Sequence, residues 1–160
     1  MDIRPLHPGD LPAVLELTIT AFRPFYEDSF RPLAGELVFA NRHGAWREDY
    51  RRHLAAVADP EHGRYAAVAH IDGQIIGFAG WIVQQAERHG EIDILAVSGP
   101  QRRHGTGRAL AEHAVAEMRN AGAEMVSVGT GGDRFHAPAR ALYESLGFTP
   151  LPTVSYTKAV

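Results

Sequence analysis

The sequence contains no cysteine. A disulfide framework and a thiolate metal site are therefore excluded. A cysteine nucleophile is excluded as well, so any acyl transfer would proceed without an acyl-cysteine intermediate. The nine histidines show no HExxH or comparable spacing, and we expect no metal cofactor.

Long apolar runs are also missing. No segment approaches the ~18 apolar residues that a membrane-spanning helix needs. The first ten residues, MDIRPLHPGD, contain no apolar signal core, so we expect a cytoplasmic protein with no membrane partner. The formal net charge is −3, whereas a general nucleic-acid-binding protein usually carries a basic face. We therefore expect no nucleic-acid partner.

The length of the chain bounds its domain count. A chain of 160 residues can form one domain with a real core, but it is too short for two comfortable ones. Internal repeats and low-complexity segments are absent. We expect a single domain over residues 1–160.

The first half of the chain predicts one strand and two helices. DIRPL is a short strand candidate, and Asp10 stands where a side chain can cap the following helix. A second, amphipathic helix is predicted over Trp46 to Ala58, closed by Asp59–Pro60. The apolar residues of the first helix follow helical spacing: Leu11, Val14, Leu15, Ile19 and Phe22.

The segment between these helices, FRPFYEDSFRPLAGELVFANRHG, mixes five aromatic residues with prolines and shows no clean period. A long segment of this kind in a small domain is either a packed loop or the wall of a binding pocket, and both alternatives stay open. Its acidic residues, Glu27 and Asp28, are a hint of an amine ligand.

The second half predicts strands that alternate with two helices. Asp72-Gly73 joins RYAAVAHI to QIIGFAGWIVQQ and is a strong hairpin signal. GEIDILAV is the next strand, followed by a helix over Gly105 to Ala121, a strand in EMVSVGT, a helix in APARALYESLG and a final strand in SYTKAV. The strand–helix–strand crossover predicts an α/β (α+β) fold with a parallel pair inside a mostly antiparallel sheet.

Positive charge is concentrated in SGPQRRHGTGRAL, Ser98 to Leu110, which has three arginines, three glycines and no acidic residue. The stretch follows a strand and begins a helix, where unpartnered N–H groups and the helix dipole favour an anion. The glycines allow a ligand to approach those amides, and the arginines suit phosphate oxygens. The Walker and dinucleotide patterns are both absent. A turn glycine with a solvated basic helix start remains the alternative.

Three motifs in order resemble the GNAT family of N-acetyltransferases. RRHGTG matches the family's [RQ]-x-x-G-x-[GA] pattern, EIDILAV resembles its fourth strand, and HAPARALYESLGF resembles its closing region. The resemblance covers Ile3 to Val160 and is specific from Ala67 to Phe148. It implies a GNAT fold, with a mixed, mostly antiparallel sheet of about six or seven strands, about four helices and a splayed fourth strand.

The resemblance also implies acetyl-CoA as the acyl donor. The family's fourth strand binds the pantetheine arm through backbone groups, and the following turn binds the pyrophosphate. His136 stands where many members have an asparagine that touches the CoA arm, although it also suits a cap for the last helix. The implied donor-binding residues are Leu95, Ala96, Val97, Arg102, Arg103, His104, Gly105, Thr106, Gly107, Arg108 and His136.

Catalytic roles follow from the same resemblance. Tyr143 matches a family tyrosine near the CoA sulfur, where a phenol can protonate the leaving thiolate; a core tyrosine is the alternative. Glu91 lies where some members have a catalytic glutamate, and Asp93 shares its face of the strand. Two neighbouring carboxylates raise each other's proton affinity, which suits a base; solvated surface acids are the alternative.

The function implied is direct acetyl transfer to an amine in a ternary complex, with a small-molecule amine as acceptor. A non-catalytic acyl-CoA-binding or regulatory module, and an acetyltransferase acting on a protein or on charged tRNA, remain the alternatives. Family members often dimerise through late strands, so a homodimer through VSYTKAV is a further expectation.

Overall fold

The computed structural model describes all 160 residues and contains one five-stranded sheet in the order β1-β2-β3-β4-β5. The first four strands pair antiparallel, and β5 pairs parallel with β4, as the predicted crossover requires. The mixed α/β fold class is confirmed. The strands are β1 Asp2–Pro5, β2 Arg64–Ile71, β3 Gln74–Gln84, β4 His89–Val97 and β5 Met125–Val128.

Six α-helices flank the sheet. The aromatic segment near the N-terminus proves to be helical, because residues 11–34 form one unbroken helical run that contains Pro24 and Pro32. A proline cannot donate a helical hydrogen bond, which fits the change in winding at Pro24. Pro24–Phe30 winds as a π-helix between the first two α-helices. None of the helices combines the length and apolarity needed to cross a membrane. The helices are α1 Leu11–Arg23, α2 Arg31–Ala34, α3 Glu36–His43, α4 Trp46–Ala55, α5 Thr106–Asn120 and α6 Ala137–Ser145.

The sheet buries apolar residues on both of its faces. On one face, Val14 and Leu54 from α1 and α4 pack with Phe78. On the other, Ala114 and Met118 of α5 pack with other residues of the central strands. The turn between β2 and β3 has φ of 49° at Asp72 and 80° at Gly73, as a tight hairpin turn needs, so the predicted hairpin is confirmed.

Strand β4 changes its surroundings part-way along its length. Its residues His89–Ile92 pair with β5, whereas residues 93–97 have no neighbour on that side. The expected splayed strand is therefore present. On the other side, Trp81 pairs with Ile92 and Gly80 with Ile94, so Asp93 is the extra residue of a β-bulge.

Three local predictions are wrong. SYTKAV forms no strand: Tyr156 and Val160 are exposed, and a strand forms only where a neighbour pairs with it and buries one face, so the sheet has five strands. The α4 helix ends at Ala55 because the chain turns there to bury Val57 in the core. Asp10 does not cap α1, because its carboxylate accepts hydrogen bonds from Arg4 and from the backbone of His7 instead.

Candidate active site

Two cavities meet beneath the N-terminus of α6. The first, which we call the α5 groove, has a volume of about 500 Å³ and runs from the start of α5 along the open end of β4. The second, the aromatic cavity, has a volume of about 400 Å³ and lies among α1, α4 and β4. The residues that line both are Phe22, Leu95, His136, Ala139 and Tyr143.

The start of α5 presents a row of free backbone donors. The six successive amides of Arg103 through Arg108 donate no hydrogen bond to the backbone, and no side chain caps the helix. Gly105 precedes the helix with φ of 87°, and the space beside its Cα is open. Gly107 lines the groove. A row of free amides at a helix start is the arrangement that binds an anion.

The three arginines of this region differ in their contacts. Arg102 donates to the carbonyl oxygens of Ala21, at 3.2 Å, and Val97, at 3.4 Å, and so ties the turn to α1 and β4. Arg108 donates to Ser145 at 2.7 Å. Arg103 lines the groove, has φ of 64° and has no side-chain partner in the chain, which leaves its guanidinium free for an anion.

Two further predicted residues contribute no side chain to the groove. His104 is exposed and does not line the α5 groove. Thr106 is only 2% exposed, and a Cβ built on Gly77 would meet its methyl group at 3.3 Å. The structure therefore offers the amides of both residues, and not their side chains, to a bound anion.

The open end of β4 offers main-chain groups to the groove. Ser98 donates its N–H to the carbonyl oxygen of Ile76. This bond shows which residue pairs of the β3–β4 ladder are hydrogen-bonded pairs. Because hydrogen-bonded pairs alternate in an antiparallel ladder, Ala96 directs its main-chain groups to β3, whereas Leu95 and Val97 direct theirs to the open edge. An extended ligand can pair there as an added strand.

Tyr143 stands at the junction of the two cavities. The residue is 8% exposed, and its ring packs edge-on against Phe148 at 5.8 Å between centroids. Burial raises the pKa of Tyr143 to about 12, so the phenol is protonated at neutral pH. Its hydroxyl can therefore donate a hydrogen bond to a ligand that spans both cavities.

The aromatic cavity has a stacked wall. The ring of Phe22 stacks on Tyr50 at 5.3 Å, and Tyr26 stacks on Trp46 at 4.5 Å. The hydroxyls of Tyr26 and Tyr50 lie 3.3 Å apart, and burial raises the pKa of Tyr50. All four residues line the cavity, so the aromatic segment both packs and forms a pocket wall.

Glu27 supports the aromatic wall through hydrogen bonds and lies outside the cavity lining. Its carboxylate accepts hydrogen bonds from Arg31 at 2.9 Å and from Trp46 Nε1 at 3.2 Å, and Arg47 lies 3.3 Å away. The bonds from Arg31 and Trp46 lower the pKa of Glu27. These bonds make Glu27 a structural support of the aromatic wall. Neither Glu27 nor the exposed Asp28 lines the cavity.

The two predicted base candidates lie in different places. Asp93, at the bulge, lines the aromatic cavity, whereas Glu91 is outside its lining. Nε2 of His53 in α4 lies 2.9 Å from Asp93 Oδ2, within ion-pair distance, and Arg64 lies 3.9 Å from the same oxygen. Sequence reasoning missed His53. The only signal was its position four residues after Asp49, which puts both on one helix face, and both line the cavity.

His136 is fixed at the entrance to the last helix. Its Nδ1 lies 2.5 Å from Asp133 Oδ2, and its backbone N–H donates to Asp133 Oδ1 at 3.2 Å. Its ring packs edge-on against Phe25, at 4.8 Å between centroids, and lines both cavities. The side chain makes no capping hydrogen bond to α6.

Comparison with known proteins identifies this arrangement. The family model described as "Acetyltransferase (GNAT) family" matches residues 15–148, which include both cavities and the free amides of α5. The chain belongs to the GNAT acetyltransferase family. The geometry of the GNAT domain agrees with the fold class and splayed β4 that the sequence motifs implied.

Individual relatives share this family and fold. The uncharacterised N-acetyltransferase YsnE of Bacillus subtilis is 34% identical over 77 residues, which cover 48% of this chain and 51% of that protein. The mycothiol acetyltransferase of Thermomonospora curvata is 32% identical over 152 residues, 91% of this chain and 50% of that protein. This GNAT chain thus spans about half the length of these two curated relatives.

A solved structure extends the likeness of fold to the whole chain. The aminoglycoside 6'-N-acetyltransferase AAC(6')-IG from Acinetobacter haemolyticus has a TM-score of 0.69 at 16% identity, covering 100% of this chain and 99% of that one. At that identity the likeness concerns the GNAT fold alone. No group of three or more His, Asp or Glu side chains in the structure is arranged to hold a metal ion.

Proposed function

We propose that this GNAT protein is an acetyl-CoA-dependent N-acetyltransferase that transfers the acetyl group directly to an amine in a ternary complex. One observation carries the proposal: a groove with six free amides at its end joins a second cavity at a buried, protonated tyrosine. Two substrates can therefore be bound at once, with their reacting groups at Tyr143. The proposal takes residues 1–160 as one domain that contains the whole site.

The α5 groove is the proposed donor site. The pyrophosphate of CoA accepts hydrogen bonds from the amides of Arg103 to Arg108, and the free guanidinium of Arg103 adds charge. The pantetheine arm pairs with the open edge of β4 at Leu95 and Val97. Arg102 contributes indirectly, because its bond to Ala21 holds the turn in place. Ala96 contributes indirectly as well, because its main-chain groups pair with β3.

Tyr143 is the proposed proton donor to sulfur. The amine nitrogen bonds to the acetyl carbon, the carbon–sulfur bond breaks, and the sulfur leaves with negative charge. Amide groups of β4 can polarise the thioester carbonyl while this happens. Because Tyr143 has a pKa of about 12, it keeps its proton until the thiolate develops and then donates a strong hydrogen bond to it.

A carboxylate of β4 is the proposed group that helps to remove the proton of the amine. An alkyl amine is mostly protonated at neutral pH, with a lysine-like pKa near ~10.4, and must lose a proton to react. Of the two candidates, Asp93 lines the aromatic cavity and Glu91 does not, so Asp93 is preferred.

The aromatic cavity is the proposed site of a small-molecule amine. Aromatic faces and the carboxylates of Asp49 and Asp93 suit a cationic amine on an apolar body. The curated relative named for mycothiol supports a small molecule as the preferred class of acceptor. The predicted homodimer, the cytoplasmic location and the absence of a metal cofactor, a nucleic-acid partner and a membrane partner stay predictions.

The test is an acetyl-CoA turnover screen against small amines, amino acids, aminoglycosides and peptides, with free thiol release as the signal. We expect thiol release that depends on both acetyl-CoA and an amine, and an acetylated amine by mass spectrometry. Tight binding of acetyl-CoA without transfer to any amine would instead support the acyl-CoA-binding module and refute the enzyme.

A further inference from the structure

We propose that His53, oriented by Asp93, is the group that takes the proton from the acceptor amine. This inference rests on the proposed acetyl transfer and deepens it. It assigns a catalytic role to a residue of α4 and changes the role of the β4 carboxylate from proton acceptor to positioning residue.

The hydrogen bonding of the His53 ring defines its free nitrogen. Nε2 lies 2.9 Å from Asp93 Oδ2, and because an ionised carboxylate only accepts hydrogen bonds, this contact favours the ring proton on Nε2 and the lone pair on Nδ1. Nδ1 has no partner in the chain. The side chain is 33% exposed and lines the aromatic cavity but not the α5 groove, so it faces only the acceptor substrate.

Asp93 is held where it can orient this ring. The β-bulge opposite Gly80 and Trp81 leaves Asp93 outside the β3–β4 ladder. His53 and Arg64 share one carboxylate oxygen, at 2.9 Å and 3.9 Å. A carboxylate engaged by two such groups stabilises a charged imidazole better than it accepts a proton from a substrate.

Other polar groups of the cavity are engaged elsewhere. Asp49 lies on the same face of α4, but its carboxylate pairs with Arg52 at 2.5 Å. His136 gives its Nδ1 to Asp133, and its ring is packed against Phe25 and lines the donor groove as well. His53 is thus the histidine of the aromatic cavity that does not also line the donor groove.

The proton balance of the step is simple. A protonated amine first gives one proton to Nδ1 of His53, which frees the lone pair of its nitrogen. The nitrogen then bonds to the acetyl carbon as the carbon–sulfur bond breaks, Tyr143 donates its proton to the sulfur, and the second proton of the nitrogen restores the Tyr143 hydroxyl. The resulting imidazolium is stabilised by Asp93 and returns its proton to solvent after the products leave. Proton transfer by a positioned side chain contributes about 10²–10⁴-fold to such rates.

The test uses two isosteric amines that differ in charge. Phenethylamine is protonated at neutral pH, whereas O-benzylhydroxylamine has an oxygen in place of one CH₂ and is neutral there. We expect His53→Gln to lower kcat about 100-fold with phenethylamine but less than about fivefold with O-benzylhydroxylamine. We expect Asp93→Asn also to lower kcat more with phenethylamine than with O-benzylhydroxylamine. The fall should be smaller than in His53→Gln, because Asp93 only positions the ring.

Controls separate a chemical role from a change of cavity shape. We expect His136→Gln and Glu91→Gln to change the rates with both amines by similar factors. An equal loss with both amines in His53→Gln would overturn the role of His53 and leave acetyl transfer standing. Wild-type protein that binds acetyl-CoA but releases no thiol with these two amines or with any amine of the screen would overturn the proposed function, and this inference with it.

Discussion

The two cavities are built in opposite ways. The α5 groove comes from one short stretch of chain and the neighbouring strand, and most of its polar groups belong to the backbone. The aromatic cavity is assembled from side chains of α1, the π-helix, α4 and β4, which are far apart in sequence. In the proposed function, main-chain groups bind the constant acyl donor, whereas side chains that tertiary contacts bring together select the acceptor.

The junction of the cavities is where the largest effect is expected. Tyr143→Phe keeps the ring and its packing but removes the proton donor to sulfur. We expect kcat to fall about 100-fold or more, while the Kd for acetyl-CoA changes less than about threefold. Tyr65→Phe is the matched control, because Tyr65 lines neither cavity. An unchanged kcat in Tyr143→Phe would show that the tyrosine is only a packing residue.

The α5 groove can be blocked from the side of α5. A Cβ on Gly107 would meet Leu142, Val97 and Leu95 at 3.5–3.8 Å, so Gly107→Leu can fold but fills the groove. The leucine side chain occupies space that the donor needs, so we expect the Kd for acetyl-CoA to rise about 30-fold in calorimetry, which corresponds to about 2 kcal/mol. Ala116→Leu, on the exposed side of the same helix, should bind normally. Normal binding by Gly107→Leu would contradict the placement of the donor.

Charge in the groove should matter less than shape. Arg103→Gln removes the guanidinium that has no partner in the chain. We expect acetyl-CoA affinity to fall about three- to tenfold at low salt, with a smaller difference at high salt because exposed charges are screened. Arg119→Gln, near the other end of α5, is the control. A loss that is independent of salt would argue against a direct phosphate contact.

The aromatic cavity can be loosened without touching the groove. Glu27→Gln weakens the bonds to Arg31 and Trp46. We expect kcat/KM for phenethylamine to fall about threefold, the cost of a weakened, partly exposed ion pair, with unchanged acetyl-CoA affinity. Equal losses for the two substrates would mean that the two cavities are not independent.

The same variant has a defined pH dependence. The pKa of Glu27 is lowered in the folded protein from an ordinary value of 4.5. Its pairing therefore stabilises the fold fully above that value and is lost as the pH falls through the lowered pKa. The Tm difference between wild type and Glu27→Gln should be full at pH 7 and should shrink below pH 4.5. A constant difference would contradict this origin.

Sequence patterns predicted the donor side well because its signals are local. Asp72-Gly73 fixes a hairpin turn, and Gly105 before α5 produces a helix start whose amides are free. The motif around Arg102 to Gly107 predicted a helix start with free amides, although it could not show that the Arg102 guanidinium is bonded to the carbonyl oxygens of Ala21 and Val97. That contact joins residues 81 positions apart.

The acceptor side was predicted poorly because its geometry depends on distant contacts. Strand alternation put Glu91 and Asp93 on one face, but only the bulge and the packing of α4 place Asp93 in the cavity and beside His53. The predicted strand in SYTKAV had a suitable alternation and found no neighbour to pair with. A sequence pattern can indicate a candidate strand, but the strand forms only where another strand is available to pair with it.

The sequence by itself determined the fold class, the helix start that offers free amides, and the tyrosine of the last helix, because each depends on residues close together in the chain. Only the tertiary structure decided that Glu27 supports a wall, that Arg103 is the free arginine, and that His53 and Asp93 meet. These outcomes depend on which side chains compete for the same partner. The packing of α1 and α4 on the sheet determines which of these side chains pair.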